Sequence, residues 1–217
     1  MPEPLEVRMF TVGPVQENCF LFRRPGADEA VMVDPGEEAD RLLGAIDELG
    51  VSLAGIILTH THFDHIGAVA PVAKATGAEV WVPEVERMVL ADINSYVPHP
   101  SLGTFESYEA EHTLAGGEKL ELAGLEIDVL HTPGHSPGHV TFSIPDEAVL
   151  FSGDVLFQGS VGRTDLPFGD WPTLQASLQL LVDTFPEETT VYPGHMGVTT
   201  LGAERATNPF LAELTPR

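Results

Sequence analysis

Residues 54–65 read AGIILTHTHFDH: a short apolar, β-branched run stops abruptly at His60, His62, Asp64 and His65. A run of that length followed directly by polar residues reads as a buried strand. With the chain extended just past the strand, His60 and His62 point to the same side, because side chains alternate with period two, and can share a metal ion. The chain must then turn, so that Asp64 and His65, at the start of the next helix, can face a second ion. Asp64 has an alternative reading as the cap of that helix. Neutral imidazoles and carboxylates suit Zn, Fe or Mn. Without such a role, four polar groups at the end of an apolar strand carry an unexplained desolvation cost.

Working outward, three strands precede this stretch: LEVRMF, ENCFLF and AVMV, the last closed by Asp34, Pro35 and Gly36. Leu42, Leu43, Ile46 and Leu49 then share one helical face, and Gly50 stands where a helix ends. After the histidines, IGAVAPVAKATG predicts a helix ending at Gly77, EVWV a strand, and PEVERMVLAD a helix with Pro83 near its first turn. Residues 92–117 are weakly patterned. KLEL and LEIDVL are strands leading into HTPGHSPGH, and VTFSI and AVLFSGD form a further pair ending at Asp154. A helix follows, capped by Asp170, with Pro172 in its first turn and Leu174, Leu178, Leu181 and Phe185 on one face. The strand TTVYPG delivers His195. Strands alternating with helices give an α/β class, and with no linker-like segment, residues 1–217 read as one domain. Ligand-type residues stand at strand ends in both halves, where α/β proteins build sites.

Composition narrows the function. The chain has 217 residues, 43% hydrophobic and 20% charged, with 21 Gly and 18 Pro, which excludes disordered and collagen-like classes. No run approaches the roughly 18 apolar residues of a membrane-spanning helix. The opening MPEPLEVRMF carries Glu3 and Glu6 where a signal peptide carries bases, so a cytoplasmic protein without membrane association is expected. Thirty-three acids against ten bases give a net charge of −23, which repels nucleic acid and leaves a small-molecule substrate as the expected partner. The sequence leaves the oligomeric state open. Cys19, the single cysteine, has no intrachain disulfide partner and reads as a buried thiol.

HTHFDH, followed by His135 in TPGHSPGH, Asp154 in LFSGD and His195 in YPGH, resembles the metallo-β-lactamase superfamily, whose hallmark is HxHxDH followed by a distant His, an Asp and another His. VDPG around Asp34 and GSVGRTDLP after Asp154 are similar to the glyoxalase II-related branch. The resemblance implies a four-layer αββα sandwich of two mixed sheets flanked by helices. It also implies two divalent ions, Zn first with Fe or Mn admitted: His60, His62 and His135 on one, Asp64, His65 and His195 on the other, and Asp154 between them. The implied reaction is cleavage of a thioester of the acyl-glutathione type by a metal-bound hydroxide, with Asp64 also orienting the nucleophile. The alternatives within the same fold are a persulfide dioxygenase with one iron on His60, His135 and Asp154, or a lactone-cleaving hydrolase. Classical glyoxalase II enzymes add a C-terminal helical region with basic groups for glutathione, whereas the 22 residues after His195 hold Arg205 and Arg217 as their bases. A short glyoxalase II-like hydrolase is therefore the expectation.

Further residues complete the reading. Asp34 is either a turn residue or a hydrogen-bond partner of a ligand histidine. Arg163 is the candidate substrate-binding residue, with a loop ion pair to Asp165 as its other role. His131 and His139 read as structural or solvent-facing, with support of a ligand residue or pocket lining as the other role, His99 and His112 as surface residues, and Trp81 and Trp171 as packing.

Overall fold

The three strands expected before Asp34 form as antiparallel neighbours in a computed structural model, which describes residues 4–214: β1 (Glu6–Val12), β2 (Glu17–Arg23) and β3 (Glu29–Val33). Glu3 and Arg217, named above, lie outside the described residues. Six of the seven residues of β2 are buried, so ENCFLF shows no alternation because both of its faces are covered. Cys19 is fully buried there, and burial, with Glu17 and Asp34 nearby, raises its thiol pKa well above the ordinary value. It is an inert packing residue.

The chain forms two compact units, one built on residues up to Leu114 with Glu121–Leu125, the other on Ala115–Leu120 with the residues from Glu126 onward. In the first, β1–β3 continue through α1 (Ala39–Leu49), β4 (Ser52–Ile57), α2 (Phe63–Ile66), α3 (Val69–Thr76), β5 (Val80–Pro83), α4 (Arg87–Ala91) and β6 (His112–Leu114). The sheet order follows the chain from β1 to β6, and each step from β3 to β6 is parallel. Leu42 and Ile46 of α1 enter the same core as Leu21, Met32, Ile56 and Val69. Each such side chain contributes about 1.5–3 kcal/mol by burial. Gly50 ends α1 in the left-handed region at φ 62, its N–H meeting the carbonyls of Asp47 and Ile46.

Two helix expectations need correction. IGAVAPVAKATG ends at Gly77 as read, but α3 begins at Val69 and a break at Ala68 (φ −102, ψ 3) separates it from α2. Pro71 explains the break: in one continuous helix its ring would strike the carbonyl four residues back, whereas the first turn of a new helix tolerates it. In PEVERMVLAD, Pro83 is the last residue of β5, Glu84–Glu86 make a single 3-10 turn, and α4 starts at Arg87. Glu86 leaves helical geometry (φ −111, ψ 0) and its carboxylate is engaged elsewhere.

The second unit contains the first half of β7 (Lys119–Leu122), β8 (Leu125–His131) from Glu126 onward, β9 (Val140–Ile144), β10 (Val149–Gly153), the hairpin β11 (Leu156–Phe157) and β12 (Ser160–Val161), α5 (Trp171–Thr184), β13 (Thr190–Pro193), β14 (Thr199–Thr200) and α6 (Leu201–Thr207). Its main sheet has the order β14-β13-β10-β9-β8-β7, with β10 and β13 parallel. Asp170 caps α5 by accepting from the Thr173 amide at 2.9 Å, and Leu174, Leu178 and Leu181 enter a core with Leu150, Val191 and Leu201. Among the described residues, no helix is long and apolar enough to cross a membrane.

Candidate metal centre

Parallel pairing of β3, β4 and β5 brings the residues just past their C-terminal ends to one edge of the first sheet. Asp34 follows β3 in the left-handed region at φ 47, which a short polar side chain tolerates. Its Oδ1 accepts from the Thr59 amide at 2.7 Å, and its Oδ2 accepts from Thr59 Oγ1 at 2.5 Å and from His65 Nδ1 at 3.0 Å. Asp34 thus occupies a turn and also holds a histidine.

These contacts settle tautomers by donor counting. The Thr59 hydroxyl spends its one hydrogen on the carboxylate, so it accepts from His60 Nδ1, 3.0 Å away. His60 and His65 therefore both carry their proton on Nδ1 and their lone pair on Nε2, the form that binds metal. His60 Nε2 lies 3.1 Å from His62 Nδ1, close to the separation of about 3.3 Å between two ligands on a tetrahedral zinc. Asp64 is buried in the first turn of α2, its Oδ2 3.9 Å from His65 Nε2. The cap position belongs to His62, so Asp64 is not the helix cap. Gly36 makes this corner possible: a Cβ there would sit 1.7 Å from the Asp64 carbonyl oxygen.

Two further acids were not singled out from sequence. Glu17, fully buried in β2, places Oε1 3.7 Å from His65 Nδ1. Glu86, 4% exposed, accepts from Thr61 between His60 and His62. Glu17, Asp34, Asp64 and Glu86 are all buried, yet among the described residues no Lys or Arg is. Burying carboxylates without a cation costs several kcal/mol each. Imidazole lone pairs at coordination spacing among such acids fit a divalent ion.

In the second unit the HTPGHSPGH loop is pinned to α5. Ser177 Oγ donates to the Pro133 carbonyl at 2.7 Å, and a Cβ on Gly134 (φ 129) would meet the Leu174 amide nitrogen at 2.3 Å. His135 Nδ1 donates to the Arg163 carbonyl at 2.7 Å, which leaves its lone pair on Nε2, 3.3 Å from Asp154 Oδ2. His195 Nε2 stands 3.5 Å from the same oxygen. Asp154 and His195 follow the parallel strands β10 and β13, so they share an edge. His139, fully buried, holds that carboxylate's backbone: its Nε2 accepts from the Asp154 amide at 2.9 Å, so Nδ1 carries the proton and donates to Thr132 Oγ1 at 3.1 Å.

The Arg163 guanidinium forms a two-point pair with Asp165 at 2.6 and 2.7 Å and holds that carboxyl down at about 2. Both side chains are exposed. His131 is exposed with Nε2 3.3 Å from the Pro137 carbonyl. His99 is exposed, and half-buried His112 pairs with Glu79 at 2.7 Å and stacks on Trp81. Trp171 packs on the α5 core.

The structure thus gathers His60, His62, Asp64 and His65 at the edge of one sheet, and His135, Asp154 and His195 at the edge of the other. Two mixed sheets with flanking helices and histidine–carboxylate groups at strand ends define a metallo-hydrolase class. Residues 12–195 match the family model of the metallo-β-lactamase superfamily, and the chain belongs to that superfamily. A hydroxyacylglutathione hydrolase, GloC, of Haemophilus influenzae is 35% identical over 209 residues, covering 95% of this chain and 98% of the relative. Among solved structures, BLEG-1, described as a B3 metallo-β-lactamase, shares 39% identity at a TM-score of 0.89, covering 95% of this chain and 99% of that one. The protein TTHA1623 in a di-iron-bound form shares 42% identity at a TM-score of 0.85, covering 94% and 100%.

Proposed function

We propose that this protein is a dinuclear metallo-hydrolase that cleaves a thioester of the acyl-glutathione type. One observation carries the reading: hydrogen bonds fix the lone pairs of His60 and His65 in the first unit and of His135 in the second, and potential ligand atoms stand at coordination spacing, 3.1 Å between His60 and His62 and 3.3 and 3.5 Å from His135 and His195 to Asp154. Family membership supports joining the two groups in one centre, with His60, His62 and His135 on one ion, Asp64, His65 and His195 on the other, and Asp154 between them. Such ions, zinc in this proposal, lower the pKa of a coordinated water from 15.7 to about 7 and polarise a carbonyl.

The chain's own residues prepare that chemistry. Asp34 keeps a proton on Nδ1 of His65 directly and of His60 through Thr59, so neither ring presents an N–H to the ion. His139 fixes the Asp154 backbone. Asp64, buried beside His65, is proposed to accept a hydrogen bond from the attacking water and so aim it. Arg163, exposed on the loop whose carbonyl holds His135, is proposed to receive an anionic group of the substrate.

Full-length similarity to GloC supports the acyl-glutathione class. The test is metal analysis of protein purified without added metal, paired with turnover of an acyl-glutathione, a β-lactam, a lactone and a persulfide with oxygen uptake. Two ions per chain with thioester cleavage is the expected result. One iron with oxygen consumption, or cleavage confined to the β-lactam or the lactone, overturns the proposal.

A further inference from the structure

Threonine and histidine alternate in the stretch that leaves β4, Thr59-His60-Thr61-His62, and a buried carboxylate from each flanking strand end holds one threonine. On the β3 side Asp34 takes the amide and hydroxyl of Thr59. On the β5 side a single oxygen of Glu86, Oε2, accepts both the Thr61 amide and Thr61 Oγ1 at 2.9 Å. Backbone pairing between β4 and its neighbour is carried as far as the Leu58 amide on the Trp81 carbonyl, at 3.0 Å. Beyond it, the side chain of Glu86 takes over as acceptor for the Thr61 amide.

We infer that Glu86 is a positioning residue for the metal centre, acting through Thr61. One acceptor that binds the amide and the hydroxyl of the same residue fixes both its backbone and its side-chain rotamer. In extended backbone, holding the Thr61 side chain on one face turns the side chains on either side of it to the other. Those are His60 and His62, whose nitrogens meet at 3.1 Å. Glu86 is 4% exposed, and a helix-compatible segment is broken to place its carboxylate there. This inference rests on His60 and His62 being metal ligands.

Because a single oxygen accepts both Thr61 donors, geometry and charge can be separated at this contact. Glu86→Gln keeps an oxygen for both Thr61 donors and loses the charge; Glu86→Ala loses both. Thr61→Val keeps the amide contact and loses the hydroxyl, at nearly unchanged volume. The probe is zinc alone, titrated against a chromophoric chelator, with the visible spectrum of the cobalt-substituted protein as a second readout and melting of the metal-free protein as a folding control. Glu86→Ala is expected to weaken zinc by about 10–100-fold and to alter the cobalt bands, as loss of a group that orients a ligand does. Glu86→Gln should stay within about threefold of the parent, and Thr61→Val should fall between the two. Should Glu86→Ala fail to fold, the Gln and Val variants decide. The inference falls if Glu86→Ala or Thr61→Val binds zinc like the parent with the parent's cobalt spectrum, or if Glu86→Gln is as damaged as Glu86→Ala. A parent protein that binds no zinc overturns the metal-centre reading along with it, whereas a binding parent with insensitive variants overturns this inference alone.

Discussion

Replacing Asp34 by Asn is the sharpest test of how the site is built. Both carboxylate oxygens of Asp34 accept hydrogen bonds: Oδ1 from the Thr59 amide, Oδ2 from the Thr59 hydroxyl and from His65 Nδ1. Asn has one acceptor oxygen and one NH2, so one of the two sides must meet a donor with a donor. With the amide oxygen on the Thr59 amide, the NH2 faces Thr59 Oγ1 and His65 Nδ1. His65 must then shift its proton to Nε2, and Thr59 no longer has a carboxylate to receive its hydrogen. Flipping the amide instead sets NH2 against the Thr59 N–H. Backbone strain does not confuse the outcome, because Asn is at home in the left-handed region that Asp34 occupies at φ 47. A buried donor left without its acceptor costs about 1–3 kcal/mol. At about 2 kcal/mol, a chain of this size loses roughly 4–8 °C of melting temperature. Metal affinity should fall about 10–100-fold, or about 1.4–2.7 kcal/mol, because the lone pair of His65, a ligand in the proposed centre, has moved. Calorimetric melting of metal-free protein and a competitive zinc titration read the two effects separately. A variant that melts within about 1 °C of the parent and binds zinc within about twofold would refute the tautomer argument.

Three further outcomes follow from the same geometry. Asp154→Ala removes the oxygen that His135 and His195 both approach at 3.3 and 3.5 Å, so metal content after gel filtration and turnover should both be lost; two retained ions with activity would contradict a bridging role. Gly134→Ala puts a Cβ 2.3 Å from the Leu174 amide nitrogen at φ 129, and since backbone of a packed helix cannot yield cheaply, scanning calorimetry should show a loss of about 3 kcal/mol or more, roughly 6–12 °C. Arg163→Ala removes an exposed side chain while keeping the carbonyl that holds His135, so zinc affinity should match the parent and the melting temperature should move by less than about 3 °C, with the change confined to KM for an anionic substrate.

The parts of this protein legible in its sequence are those written in local contrast. AGIILT stands out against HTHFDH, Gly50 and Gly77 punctuate helices through their own backbone freedom, and Asp170 caps a helix through the amide three residues on. Family resemblance then predicted the fold, which the family match and the structural neighbours bear out. What stayed hidden depends on partners far along the chain. Glu86 sits 25 residues from Thr61, inside a segment with helical composition, and its burial follows from parallel pairing of β4 and β5. A role for His139 in supporting a ligand residue is open from its place in the His135 loop, but no spacing rule marks it as an acceptor for the Asp154 amide 15 residues away. β6, β11, β12 and β14 have two or three residues each, too few for any period to show.

The placement of acids explains why so much of the support is carboxylate and so little is main chain. In the proposed centre, a strand end that presents two imidazoles to an ion has to leave its ladder, because paired backbone carries its side chains on both faces of a covered sheet. Leaving the ladder strips the amides of residues 59 and 61 of strand partners inside the protein, where each such donor needs an acceptor. A neutral acceptor would satisfy the two Thr61 donors equally well at Glu86, where one oxygen receives both, but not the donors at Asp34, where two oxygens and a histidine proton are engaged at once. Charge is thus required at one flank by donor count, and at the other it adds to the negative potential that a cation meets. On the proposed metal-centre reading, the buried acids of this edge oppose folding of the metal-free chain and favour the form with a divalent ion, which predicts that metal binding and the stability of the first unit are coupled.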